Sequence, residues 1–297
     1  MTRRVLVLGA TGMLGHTLLR ELQCSPDLDV RGTARSLTGR AGWFPDELAA
    51  RITTGVEALD VPRIRRLLRE QRPDAVVNCI GVIKQRPGVE DPVPTIAINA
   101  LLPHQLAEAC AEVGARLIQV STDCVFSGDR GGYTETDLPD PTDLYGRSKL
   151  LGETTGEGTL TLRTSIVGHE LGTARSLVDW FLGQTAVKGY TKAIYSGVTT
   201  VEFARLLRTV ILPDQALTGL FHVAAAPIAK YDLLRLVAAT YGWTGDITPF
   251  DGFVCDRSLS AEALARTTGY RPPAWPEMIS KLHAARSRWA AGRPSTR

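Results

Sequence analysis

Lysine is scarce in this chain: six of its 34 cationic side chains are Lys and the rest are Arg. Each lysine therefore carries more information than usual. Cysteine is sparse too. Cys24, Cys79, Cys110, Cys124 and Cys255 form no CxxC pair and have no His spacing suited to zinc. An odd, scattered set fits a reducing compartment rather than a disulfide framework. No apolar run approaches the roughly 18 residues of a membrane span. Arg3-Arg4 resembles the start of a signal peptide, but the apolar stretch behind it breaks at Gly9, so a cytoplasmic protein with no membrane partner is expected. A net charge of +3 without basic clustering argues against a nucleic-acid partner. No cluster of metal-ligand residues and no internal repeat is present, so no metal-ligating residues are expected, and magnesium dependence is left open.

The 297 residues, 44% apolar and 22% charged, suit a soluble protein with one large domain or two intimate lobes. Val5-Leu6-Val7-Leu8 reads as a strand buried on both faces. Val30–Ala34, Ala75–Ile80 and Arg116–Val120 read as further strands, separated by helical patterns around Leu14–Leu22, Ile64–Leu68 and Ile98–Val113. Strands alternating with helices imply βαβ units and a parallel sheet. Beyond about Thr164 the alternation fades. Ser176–Phe181, Thr200–Ile211 and Lys230–Tyr241 look helical and Gly219–Ala224 looks like one more strand.

Gly9-Ala10-Thr11-Gly12-Met13-Leu14-Gly15 lies between a strand and a helix. Three glycines there allow a tight turn and close approach of backbone amides to a pyrophosphate, at a helix end that favours negative charge. At the end of the second strand, where a carboxylate would take the ribose hydroxyls of NAD, the chain has Ala34-Arg35. A guanidinium suits a 2′-phosphate, so NADPH is the expected cofactor, with NADH left open and a solvated Arg35 as the alternative.

Tyr145 and Lys149 stand four residues apart. On a helix this places both on one face, with Cβ atoms about 5–6 Å apart. A phenol normally titrates near 10, and a cation beside it favours the phenolate and makes it a usable acid or base.

With these residues in place the chain resembles the extended short-chain dehydrogenase/reductases, and within them the dTDP-4-dehydrorhamnose reductase group. The resemblance rests on Gly9–Gly15, Leu59-Asp60-Val61, Asn78-Cys79-Ile80-Gly81, Asn99, Ser121-Thr122-Asp123-Cys124-Val125-Phe126-Ser127-Gly128, Tyr133-Thr134-Glu135, Tyr145–Glu153 and Leu162-Arg163-Thr164. These occur in the family's order over the first 170 or so residues. It implies a Rossmann-type doubly wound parallel sheet with a smaller mixed α/β substrate lobe. Residues 1–165 would form the NADP-binding domain and 166–286 mainly the substrate lobe, with some segments returning to the sheet. Residues 287–297 would be a flexible tail.

The resemblance further implies that Tyr145 protonates a carbonyl oxygen, Lys149 holds the nicotinamide ribose and lowers the tyrosine pKa, and Thr122 orients the same oxygen. Gly9, Thr11, Gly12, Met13, Leu14, Gly15 and Arg35 would bind the cofactor. So would Asp60 and Val61 beside the adenine, and Cys79, Ile80 and Gly81 along the adenosine and phosphates. Lys84, Asp123 and Arg257 are the candidate substrate contacts. For Lys84 a solvated basic loop is the alternative, and for Arg257 a surface pair with Asp256. Asn78 and Asn99 are expected to satisfy backbone groups, and His222 to be a packed core residue.

Three features narrow the reaction. The related dehydratases carry Asp-Glu after the threonine, whereas Asp123 is followed here by Cys124, which argues for a reductase. Related epimerases keep bound NAD, and the ribose-binding carboxylate is missing. The group's usual Val-Asp-x-x-Glu and Gly-Pro-Thr stretches are replaced by Gly81–Pro87 and Ser196–Thr200. The expectation is NADPH-dependent reduction of the 4-keto group of a nucleotide-linked 4-keto-6-deoxyhexose. The alternatives are a UDP-linked N-acetylated 4-keto sugar, an epimerase, or an idle NADP-binding regulatory subunit. A homodimer is left open.

Overall fold

The computed structural model describes residues 2–40, 42–83 and 90–291. Six strands appear up to Thr164: β1 (Arg3–Leu8), β2 (Leu28–Thr33), β3 (Ile52–Thr53), β4 (Ala75–Asn78), β5 (Arg116–Thr122) and β6 (Thr159–Thr164). The chain then leaves this sheet through β7 (Ile166–Val167), β8 (Ala186–Tyr190), β9 (Ala193–Tyr195) and β10 (Val198–Thr199). It returns as β11 (Gly219–Val223) and finishes with β12 (Ile228–Ala229), β13 (Asp246–Phe250) and β14 (Cys255–Asp256).

The main sheet has seven strands in the order β11-β6-β5-β4-β1-β2-β3, and every neighbouring pair is parallel. Order reverses between β1 and β4. In such doubly wound Rossmann-type sheets the crevice at that reversal, outside the carboxyl ends of the strands, takes the ligand. Outside this sheet β7 pairs with β10, β8 with β13, and β9 lies between β12 and β14.

Alternation along β1 explains the layers. Val5 and Val7 face one core with Leu18, Leu19 and Leu22 of the helix Met13–Leu22. Leu6 and Leu8 face the other with Ile64, Leu67 and Leu68 of Val61–Gln71 and Leu102 and Leu106 of Leu102–Ala111. A strand covered on both sides has no polar face to show, hence the unbroken apolar run. The late strand β11 is held to this frame by Arg116 at the start of β5. Its guanidinium donates to the carbonyls of Ile211 and Asp214, each at 2.8 Å, and to that of Leu217.

Two elements differ from the sequence reading. The helix expected over Ile98–Val113 begins earlier, as Pro92–Ile96, and passes through a wider π turn at Ala97–Leu101 before Leu102–Ala111. The flexible tail expected over residues 287–297 differs in its first part, because the helix Trp275–Ala291 runs through residues 287–291; residues 292–297 lie outside the described residues. Arg288 and Trp289 both donate to Glu21 Oε1 at 3.2 Å, and the Trp289 ring meets His16 edge-on at 5.3 Å. These contacts give the last turns a partner that a polar, Pro/Gly-containing sequence does not advertise.

Beneath the carboxyl edge lies a buried ion pair. Arg163 on β6 grips Glu153 through Nε–Oε1 at 2.8 Å and Nη2–Oε2 at 2.7 Å, and the Ser121 hydroxyl donates to Glu153 Oε1 at 2.6 Å. Both side chains are almost fully covered, so the pair's partners cannot be replaced by water. Replacing Glu153 by Gln should cost about 3–5 kcal/mol, because it leaves the Arg163 charge uncompensated. The urea unfolding midpoint reads this, and a midpoint equal to wild type would show that the pair contributes nothing.

Candidate active site

Parallel pairing brings the carboxyl ends of β1, β4, β5 and β6 to one edge, and each supplies a loop to the site. β1 runs into the glycine turn, where Gly9 takes φ +81°. The turn is wedged against the end of β4: a Cβ on Gly9 would lie 3.2 Å from Ile80 Cγ1 and 3.3 Å from the Cys79 carbonyl. Gly15 is forced by packing, since a Cβ there would stand 2.1 Å from the Gly9 oxygen. Gly12 is different. A Cβ on it would meet nothing closer than the Gly9 oxygen at 3.5 Å, so the folded chain does not itself demand glycine there. An exposed amide turn whose bareness the protein does not need fits a pyrophosphate on the following helix N-terminus.

The other expected cofactor contacts lie around this turn. Leu14 is a core residue, leaving it only a backbone role, while Thr11 and Met13 are half-buried beside it. Arg35 follows β2 on the surface, and no side-chain partner reaches its guanidinium among the described residues. The Asp60 carboxylate caps Val61–Gln71 by accepting from Arg63 N at 3.0 Å, and Val61 packs toward the core on that face. Asn78 accepts from Ile80 N at 3.0 Å, which shapes the backbone of Cys79, Ile80 and Gly81. Asn99, in the π turn, exchanges hydrogen bonds with the Val82 backbone at 2.9 and 3.0 Å and donates to Ser148 Oγ at 3.2 Å. Both asparagines thus satisfy backbone groups, as expected. Lys84 lies outside the described residues.

Tyr145 and Lys149 sit on the helix Leu144–Leu151, capped by Asp143, whose side chain accepts from Gly146 N at 2.8 Å. Two glycines set this helix in place. A Cβ at Gly146 would lie 2.3 Å from the Cys124 carbonyl oxygen, and one at Gly152 1.9 Å from that of Asn99. No larger residue permits this approach. It sets Tyr145 against the turn Asp123–Val125 that follows β5, where Thr122 caps by accepting from Cys124 N at 3.1 Å.

The electrostatics follow from this crowding. Burial, reinforced by Cys124, Asp123 and Asp143, pushes the Tyr145 phenol above its ordinary value, and the Thr122 hydroxyl pulls it back through a hydrogen bond. Lys149 donates through Nζ to the Val120 carbonyl at 2.7 Å. Burial lowers its pKa to about 8, opposed by Glu153 and Cys79. Burial raises the pKa of Asp123, while hydrogen bonds from the Ser165 hydroxyl at 2.8 Å and the Thr122 hydroxyl at 3.1 Å lower it. Arg257 reaches the same pocket, its Nε donating to the Phe126 carbonyl at 2.8 Å and its Nη1 3.8 Å from Cys124 Sγ. It therefore does not form the surface pair with Asp256 that the sequence also allowed.

Thr122, Asp123, Tyr145, Lys149 and Arg257 are thus brought together, with the glycine turn and Cys79 along one side. Sequence reasoning missed Ser165, whose hydroxyl donates to Asp123 at 2.8 Å, the neighbouring Tyr195, and Lys230, whose charge is felt by Asp123, Cys124 and Cys255. Tyr195 donates to the Ile166 carbonyl at 3.3 Å and feels the charge of Asp123. His222 is fully buried, its Nδ1 3.1 Å from the Tyr133 carbonyl, and takes no part in the site. Among the described residues no group of three or more His, Cys, Asp or Glu side chains could hold a metal, and no helix is long and apolar enough to cross a membrane.

This sheet, glycine turn and Thr-Tyr-Lys arrangement define an extended short-chain dehydrogenase/reductase. The family model described as RmlD substrate binding domain matches residues 3–285, and the chain belongs to that family. The methionine adenosyltransferase 2 subunit beta of Danio rerio is 30% identical over 254 residues, covering 80% of this chain and 74% of that protein. A dTDP-4-dehydrorhamnose reductase of Streptomyces griseus is 38% identical over 151 residues, covering 50% of this chain and 43% of that protein, so less than half of its length is spanned. The crystal structure of dTDP-4-dehydrorhamnose reductase from Bacillus anthracis in complex with NADP shares the fold, with a TM-score of 0.79 at 21% identity, over 96% of this chain and 100% of that one.

The contrast between the two glycines yields a test. Gly15→Ala should lower the melting temperature of the ligand-free protein by several degrees, because backbone must move. Gly12→Ala should melt within a degree or so of wild type yet bind NADPH about tenfold or more weakly, as read by nucleotide fluorescence titration. Unchanged NADPH affinity in Gly12→Ala would remove the turn from the cofactor site.

Proposed function

We propose that this protein is an NADPH-dependent reductase of the 4-keto group of a nucleotide-linked 4-keto-6-deoxyhexose. The observation that carries the reading is the convergence of Thr122, Tyr145 and Lys149 beside an open glycine turn. NADPH, when bound, supplies hydride to the keto carbon. The rest of the chemistry belongs to the chain's own side chains. Charge develops on the carbonyl oxygen, and the hydroxyls of Thr122 and Tyr145, near enough for Thr122 to lower the phenol's pKa, can both donate to it, a preorganised stabilisation where it is needed. Tyr145 then gives up its proton to the nascent alkoxide.

Burial keeps the phenol protonated in the resting protein, which suits an acid. Once that proton has left, a nearby ammonium stabilises the phenolate, and Lys149 is the cation on the same helix face. Its lowered pKa of about 8 leaves it mostly charged at neutral pH and makes it a donor for a ribose hydroxyl. NADPH is preferred over NADH because the end of β2 presents Arg35, whose guanidinium has no partner among the described residues, and no carboxylate. Asp123, directly after Thr122, accepts from hydroxyls in the resting site and is placed to accept from a sugar hydroxyl. Arg257 lies at the lobe side of the same pocket.

A second reading has a specific observation behind it. The vertebrate relative at 30% identity is a subunit of a methionine adenosyltransferase, so an NADP-binding regulatory role is the competing account. The two differ in turnover. With dTDP-4-keto-6-deoxyglucose as substrate, wild type should consume NADPH, with the UDP-linked N-acetylated 4-keto sugar as the comparison substrate. Tyr145→Phe should lower kcat by about 10²-fold or more with little change in NADPH affinity. Full activity in Tyr145→Phe would overturn the assigned role, and binding of NADPH without consumption on either substrate would favour the regulatory account.

A further inference from the structure

Thr122 has a single hydroxyl proton, and in the resting site that proton is taken. Its Oγ1 donates to Asp123 Oδ1 at 3.1 Å and accepts from Cys124 N at 3.1 Å. An ionised carboxylate has acceptors only, so while Asp123 is charged the bond runs in this one direction. Reduction of a carbonyl needs the same proton on the substrate oxygen. One hydroxyl cannot donate to both.

The fold gives Asp123 a second hydroxyl partner. β5 and β6 pair in register at Thr122 and Thr164, so Asp123 and Ser165, each one residue further on, stand side by side. Ser165 Oγ donates to Asp123 Oδ2 at 2.8 Å. Gly197 presses on Ser165 from the lobe, since a Cβ there would lie 1.9 Å from the Ser165 carbonyl oxygen. Asp123 is buried. Burial pushes its pKa up, and the hydroxyls of Ser165 and Thr122, the charge of Arg257 and Cys124 oppose this. Tyr145, Tyr195 and Lys230 also feel its charge. Phenols, thiols, ammonium and guanidinium groups ordinarily titrate above about 8, which leaves the carboxyl as the member of this set that changes charge below neutral pH.

We propose that Asp123 is a positioning residue that works through Thr122: protonated, it donates to the threonine oxygen and frees the threonine proton for the substrate carbonyl, and ionised, it withholds that proton. This rests on the reductase reading above, in which Thr122 donates to the carbonyl oxygen. In the protonated form the threonine oxygen accepts from Asp123 and from Cys124 N and donates once, which fills its capacity. No proton leaves Asp123 in the reaction, and the proton that reaches the alkoxide is still that of Tyr145. Because the active form carries the extra proton, turnover falls as pH rises through the pKa of Asp123.

The pH profile of kcat tests this, read as NADPH consumption with the keto-sugar nucleotide from about pH 5 to 7.5. Wild type should lose activity toward the upper end. Hydrogen bonds from hydroxyls favour the charged carboxylate, so Ser165→Ala should carry the descending limb upward by about one pH unit. Asp123→Asn, whose amide donates at every pH, should have no limb in this range at whatever rate it turns over. Thr122→Val should be about 10²-fold slower throughout and equally flat. A melting curve like that of wild type identifies each variant as folded. A flat wild-type profile, a limb left in place by Ser165→Ala, or a limb that persists in Asp123→Asn would overturn the positioning role and leave the reductase reading intact. Wild type that consumes no NADPH at any of these pH values would instead overturn the reductase reading itself.

Discussion

The site depends on a backbone-to-backbone contact. The helix carrying Tyr145 and Lys149 lies so close to the turn after β5 that any side chain at Gly146 would run into the Cys124 carbonyl, and its far end meets the Asn99 carbonyl at Gly152 in the same way. These two approaches fix where the helix sits relative to the sheet edge. The phenol reaches Thr122 for that reason, and Lys149 reaches the Val120 carbonyl. A side chain held this way has few alternative positions, which is what preorganisation for a developing charge requires.

Around that contact the chain places charge with restraint. Below it, the covered Arg163–Glu153 pair and the neutral, buried His222 satisfy one another and the backbone. Arg163 adds to the burial that lowers the His222 pKa to about 4, so this layer stays electrically quiet across the physiological range. Above it, Lys149 donates to the Val120 carbonyl, Arg257 to the Phe126 carbonyl, and the acid Asp123 accepts from the Ser165 and Thr122 hydroxyls.

Much of this was legible in the sequence, for identifiable reasons. Parallel strands covered on both faces give continuous apolar runs, so Val5–Leu8 and Ala75–Asn78 announced themselves. The glycine turn, Thr122 and the Tyr145–Lys149 spacing are local patterns on elements long enough to show them. Tyr195, Lys230 and Arg257 were harder to see. They lie on or directly after β9, β12 and β14, strands of two or three residues, which are too short for any periodicity. Arg257 was picked out by its motif alone, and Lys230 reads as an ordinary first residue of a helix. The ordered end of Trp275–Ala291 was also missed, because its support is a contact with Glu21 at the other end of the chain.

The central claim is hydride delivery to a sugar carbonyl beside Tyr145. Its most direct test is to supply NADPH deuterated at the transferring position of the nicotinamide ring, together with the dTDP-4-keto-6-deoxy sugar, and to examine the product by NMR. The account predicts one deuterium bonded to C4 of the sugar, next to a new hydroxyl, with one NADPH oxidised for each sugar reduced. A product sugar without deuterium at C4, or NADPH that stays bound and unconsumed, would contradict it.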